Sequence, residues 1–68
     1  MTIGYNIRRN RRDMGLKQHE LAKMVGVGIM SISQWECEKC YPSMLSLMCL
    51  ADVFCITLDE LVGRDFEK

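Results

Sequence analysis

Gly26 is the position that most restricts this chain. It separates two short apolar patterns, Leu21-Ala22 with Val25 before it and Ile32 with Trp35 after it. Leu21, Ala22 and Val25 fall at i, i+1 and i+4, and Ile32 and Trp35 at i and i+3, so each set forms an inward stripe on a helix. Glycine accepts the positive φ of a tight helix exit, and Val27 beside it can fold back as an apolar contact. Ala22 is small enough for the second helix to cross closely. That second helix starts near Gly28 and leaves Ile29, Met30, Ser31, Ser33 and Gln34 on its outer face.

Caps and periodicity place three further helices around this pair. The first is expected over residues 2–14, with Ile3, Ile7, Met14 and Asn10 inward, stopping at Gly15. The central two cover 18–24 and 29–36. Ser43, after Pro42, is a candidate N-cap for a fourth helix whose inward set reads Met44, Leu47, Met48, Ala51 and Phe54. Thr57-Leu58-Asp59-Glu60 is a full capping box for a fifth, with Leu58, Leu61 and Val62 on its apolar side. The expected fold is all-α, five helices with short connections.

At 68 residues the chain has room for one domain and a compact core, burying about 60% of its unfolded surface. No apolar run approaches the roughly 18–20 residues of a membrane span, since the longest breaks at Asp52. Arg8, Arg9, Arg11 and Arg12 interrupt any signal-peptide pattern, so a cytoplasmic location is expected. Catalysis is not: there is no Ser/His/Asp set, no glycine-rich phosphate loop and no paired-carboxylate cleft, and His19 has no organising neighbours. No cofactor, metal or small-molecule ligand is implied.

Two helices crossed over a tight turn have the shape that fits a DNA major groove. The rest of the chain resembles the lambda-repressor-like (Cro/XRE-type) helix-turn-helix regulators over nearly its whole length. The matching residues are Ile3-Gly4, Ile7-Arg8, Arg11, Gly15-Leu16, Gln18, Glu20-Leu21-Ala22, Gly26-Val27, Ile32-Ser33, Trp35-Glu36, Lys39, Tyr41-Pro42-Ser43, Leu50-Ala51 and Thr57-Leu58-Asp59-Glu60-Leu61. The resemblance implies a compact five-helix DNA-binding domain over residues 1–68, its helix-turn-helix at about 18–36. It also implies double-stranded DNA as partner, bound by a homodimer on a two-fold operator.

Site roles follow. Ile29, Met30, Ser33 and Gln34 are candidate base readers, Gln34 through the paired hydrogen bonds an amide can make with adenine N6 and N7. Lys17, Gln18, Ser31, Lys39 and Tyr41 are candidate phosphate contacts, and in the family a glutamine at the Gln18 position also braces a side chain of the second helix. Arg11 and Glu36 match a buried ion pair that ties the first helix to the end of the recognition helix.

Departures from the family pattern matter as much. Gly28, Ile29 and Met30 stand where polar residues are usual, which implies reading of thymine methyl groups there. Lys17 replaces a capping hydroxyl and Gly28 offers none. Glu38 occupies a usual glycine position, which implies either left-handed backbone or a remodelled loop. Cys37 and Cys40 form a Cys-x-x-Cys spacing, read foremost as reduced thiols and otherwise as a thiol switch or a zinc pair.

Charge is divided along the chain. Residues 1–36 carry 6 basic and 3 acidic side chains, net +3, and residues 37–68 carry 3 and 6, net −3. The positive half can face phosphate, although Arg8, Arg9 and Arg12 taken singly read equally well as a solvated face. Leu45, Cys49 and Asp52 should share an outer face of the fourth helix, and this patch with the fifth helix and residues 63–68 is the expected dimer surface. The leading function is a transcriptional regulator acting as a repressor. A protein-interaction module that has kept the fold and lost operator reading is the alternative.

Overall fold

The computed structural model describes residues 2–63, which form five helices and no strand: α1 (Ile3–Asp13), α2 (Gln18–Val25), α3 (Ile29–Glu36), α4 (Met44–Phe54) and α5 (Leu58–Val62). Residues 64–68 of the expected dimer surface lie outside the described residues.

Each helix start shows what its cap residue can supply. Thr2 accepts the Tyr5 N–H through Oγ1 at 3.2 Å, and Ser43 accepts that of Ser46 at 3.2 Å. At α5 the box closes in both directions: the Glu60 N–H reaches Thr57 Oγ1 at 3.1 Å while the Thr57 N–H reaches Glu60 Oε1 at 2.9 Å. At α2 only half of a box forms. Glu20 Oε1 accepts the Lys17 N–H at 2.7 Å, but a lysine side chain has no acceptor to return. Gly28 caps α3 with backbone alone.

The α2 exit follows the chemistry of Gly26. Its φ is +85°, and the N–H groups of Gly26 and Val27 both return to Ala22 O, at 2.8 and 3.0 Å. This closes the turn that swings α3 across α2. The core gathers Ile3, Ile7, Leu21, Ala22, Ile32, Trp35, Leu50, Ala51, Phe54 and Leu61. Leu16, Val25, Val27, Leu47, Val53, Ile56 and Val62 are partly buried around it. Burial of a full-sized aliphatic or aromatic side chain contributes about 1.5–3 kcal/mol.

Four inward assignments are corrected. Met14 is exposed, because α1 ends at Asp13 and Met14 caps it beyond the stripe of Ile3 and Ile7. The inner position is taken by Asn6, which is buried and whose Nδ2 donates to Leu61 O at 3.0 Å and so joins α1 to α5. On α4, Met44 and Met48 are exposed, whereas Leu50 is completely buried with Ala51 and Phe54. The helix is rotated toward Leu50, so Met44 and Met48 join Leu45 and Cys49 on the outside. Leu58 on α5 is also exposed, and Leu61 carries that helix's burial.

A close approach joins the start of α1 to the end of α3. A Cβ on Gly4 would stand 2.5 Å from Trp35 O and 2.9 Å from Glu36 O, so only glycine lets the helices meet there. Glu38 has left-handed backbone, φ +64°, and its Oε2 accepts the Gly4 N–H at 2.8 Å. The carboxylate thus caps α1 from across the molecule, at the end of a helix where negative charge is favoured.

Candidate nucleic-acid interface

Glu36 organises the region. Its side chain is 1% exposed, at the last turn of α3, and three side chains from two other helices converge on it. Arg11 of α1 donates through Nε to Oε2 at 2.6 Å and through Nη2 to Oε1 at 3.1 Å. Gln18, the first residue of α2, donates from Nε2 to Oε1 at 3.1 Å. Arg8, one turn before Arg11, brings its Nε to 3.6 Å from Oε1. Arg11 also donates Nη1 to Leu16 O at 2.9 Å, tying the α1–α2 connection into the same knot. A carboxylate removed from water needs this many donors.

The knot fixes one end of α3 while its stripe of Ile32 and Trp35 enters the core. On the opposite side Ile29 is 47% and Met30 66% exposed, with Ser31, Ser33 and Gln34 half-buried. These five side chains offer two apolar surfaces near the start of the helix and two hydroxyls and an amide further along. Lys17 is exposed at the start of α2, and Lys39 and Tyr41 are exposed in the loop after α3. Gln18 is half-buried, with its amide already engaged by Glu36.

Positive charge continues over the outer side of α1. Arg8, Arg9 and Arg12 line a shallow groove with Tyr5 and Asp13, and Arg9 lies 4.0 Å from Asp13. The acidic residues Asp52, Asp59 and Glu60 are exposed on α4 and α5. Cys37, Cys40, Cys49 and Cys55 are all exposed free thiols, and among the described residues no group of three or more His, Cys, Asp or Glu side chains converges on a metal position. Among them, too, no helix is long and apolar enough to cross a membrane.

The family profile described as helix-turn-helix matches residues 7–61, four-fifths of the chain and all but the first turn of this arrangement. The chain belongs to the Cro/XRE-type helix-turn-helix family. That family comprises DNA-binding transcriptional regulators, a non-enzymatic class. Two curated relatives are similar over the whole of the domain. The HTH-type transcriptional activator BcrR of Enterococcus faecalis is 37% identical over 65 residues, covering 96% of this chain and 32% of the relative. Repressor protein C2 of Salmonella phage P22 is 33% identical over 66 residues, covering 97% and 31%. The chain therefore spans about a third of the length of the curated relatives it matches.

Solved structures agree in shape. The crystal structure of the P22 c2 repressor in complex with synthetic operator 9T superposes with a TM-score of 0.90 at 34% identity, covering 96% of this chain and 98% of that one. A transcriptional regulator from Listeria innocua superposes with a TM-score of 0.89 at 28% identity, covering 98% and 63%.

Arg8 and Glu38 were not among the sequence candidates for this site, and Cys40 was one only as a thiol of the Cys-x-x-Cys spacing, not as a partner of Gln34. Arg8 shares a helix face with Arg11, a spacing of three that would have flagged it as a second partner for Glu36. Glu38 and Cys40 act through contacts that no local pattern announces: Glu38 with Gly4, and Cys40 with Gln34, whose Oε1 lies 3.5 Å from Cys40 Sγ.

Proposed function

We propose that these 68 residues act as a single DNA-binding domain that inserts α3 into the major groove of a two-fold operator. The observation that carries this reading is the clamping of Glu36 by Arg11 and Gln18 at the end of a helix that exposes Ile29 and Met30 at its start, with Ser31, Ser33 and Gln34 half-buried beside them. The P22 c2 repressor, which shares the fold, is described in complex with an operator, and this supports the same partner here.

In the proposed complex Lys17, Lys39 and Tyr41 meet phosphates, with Gln18 and Ser31 beside them, and register is set before bases are read. Ser33 and Gln34 supply hydrogen bonds to base edges. Ile29 and Met30 pack against thymine methyl groups, the one major-groove feature an aliphatic side chain can recognise directly. The domain acts in the cytoplasm as a repressor, by covering a promoter. A second copy covers the apolar surface of Met44, Leu45, Met48 and Cys49, which gives the two-fold symmetry that paired half-sites require.

Selection of duplexes from a random pool, followed by salt titration, tests the whole. Thymine is expected opposite Ile29 or Met30, and guanine in those columns would overturn that assignment. With Lys17 and Lys39 from each of two protomers on phosphate, log K should fall with log salt at a slope of about −3.6, from about −0.9 per neutralised phosphate. Binding that ignores salt, or that unrelated duplex removes equally well, would instead indicate a protein-interaction module. Sedimentation showing only monomer, with and without DNA, would refute the dimer.

A further inference from the structure

We infer that Cys40 is a positioning residue for Gln34: its thiol holds the amide oxygen, so that Gln34 meets the groove as a hydrogen-bond donor and selects guanine rather than adenine. This inference rests on the DNA reading proposed above.

The geometry starts at the end of α3. The loop after Glu36 turns back on Gln34, whose backbone carbonyl accepts the N–H groups of Lys39 at 2.9 Å and Cys40 at 3.4 Å. Glu38 makes the turn possible with its left-handed backbone and anchors it through the Gly4 N–H. Cys40 is thereby delivered to the side chain of Gln34 as well, its Sγ donating to Oε1 at 3.5 Å. Both ends of Gln34 are held by one residue.

A glutamine amide offers one acceptor oxygen and a pair of N–H donors. Adenine presents N7 and the N6 amino group in the major groove, so its paired recognition needs the oxygen and the nitrogen together. With the oxygen directed at Cys40, the donors are what remain to face the groove. Guanine, with adjacent N7 and O6 acceptors, matches them. A thiol is a weak donor, so the preference it imposes is modest, about fivefold for one hydrogen bond of ordinary net strength.

Random-pool selection on the wild type, Cys40→Ala, Cys40→Ser and Gln34→Ala tests this. The column that loses its preference in Gln34→Ala is the one Gln34 reads. It should be guanine in the wild type, move toward adenine by about fivefold in relative affinity in Cys40→Ala, and stay guanine in Cys40→Ser, whose hydroxyl keeps a donor. The Cys40→Ala effect should vanish when Gln34 is also alanine. In the free protein, the side-chain amide resonances of Gln34 should shift in Cys40→Ala and hold in Cys40→Ser. A column unmoved by Cys40→Ala, a shift that persists without Gln34, or an unmoved amide resonance overturns the inference. A wild type that selects no duplex at all overturns the DNA reading and this inference with it, an outcome distinct from specific binding with an unmoved column.

Discussion

Replacing Arg11 with methionine isolates the contribution of the Glu36 knot. The long apolar stem is kept, but two of the hydrogen bonds to the carboxylate are lost, at 2.6 and 3.1 Å. With only 1% of its side chain exposed, Glu36 cannot recover hydration, and it retains the Gln18 amide at 3.1 Å and the half-exposed Arg8 at 3.6 Å. Removing one partner of a buried pair costs about 3–5 kcal/mol, and the remaining Arg8 charge places Arg11→Met near the lower end, at about 3. A domain of this length has a total stability of about 3–10 kcal/mol, so the variant retains little. In urea, with a slope of about 1 kcal/mol/M for so small a protein, the midpoint should drop by about 3 M. The double variant Arg11→Met/Glu36→Leu should be more stable than Arg11→Met alone, because no charge is then stranded. A loss below about 1 kcal/mol for Arg11→Met, the range of a solvated pair, would refute the buried-clamp account. So would a double variant less stable than the single. The exposed Arg9–Asp13 pair is the internal control, and Arg9→Ala should leave the midpoint unchanged within error.

Gly4→Ala should destabilise by about 1–3 kcal/mol, because the new methyl meets the backbone oxygens of Trp35 and Glu36, which cannot yield as a flexible side chain would. Thermal melting checks this, and a neutral result would mean that the helices can separate at no cost. Lys17→Ser should restore the missing half of the α2 box and stabilise the free protein by about 0.5–1 kcal/mol. The same change should weaken DNA binding and flatten the salt slope by about 0.9 per protomer, so calorimetry and binding should move in opposite directions. For the Cys37–Cys40 spacing, hydrogen peroxide can convert two thiols to a disulfide, itself being reduced to two waters. If that bond forms, oxidant should weaken DNA binding in the wild type and not in a Cys37→Ser/Cys40→Ser variant, and equal sensitivity of the two would rule out a switch.

What the sequence made legible was whatever a single residue dictates locally. Gly26 forces the α2 exit, Thr57 with Glu60 writes a complete box, and the Ile32–Trp35 spacing phases α3, so five helices and their order could be read directly. On α4, Leu47, Ala51 and Phe54 face the core as their spacing predicts, but Met44 and Met48 do not, because the sequence is apolar almost throughout. Met44, Leu45, Leu47, Met48 and Leu50 offer several equivalent stripes, and which of them is buried is decided by how α1, α2 and α5 pack on α4 rather than by periodicity. Asn6 was missed for a related reason. A polar residue in a core position makes sense only once Leu61 O, 55 residues later, is there to accept its N–H. The exposed outer face of α3 was foreseeable from phase alone, whereas the links Glu38–Gly4 and Cys40–Gln34 depend on a loop folding back, which no spacing encodes.

The position of Glu36 has an evolutionary consequence. The buried residues of α3, Ile32, Trp35 and Glu36, lie on its inner stripe or at its C-terminal end, whereas Ile29 and Met30 are exposed near its start. Substitutions at those two exposed positions should therefore cost the fold little, within about 0.5 kcal/mol. If α3 reads DNA as proposed, base preference at Ile29 and Met30 can change without loss of the fold, and the same separation makes the two positions a natural set for randomised libraries.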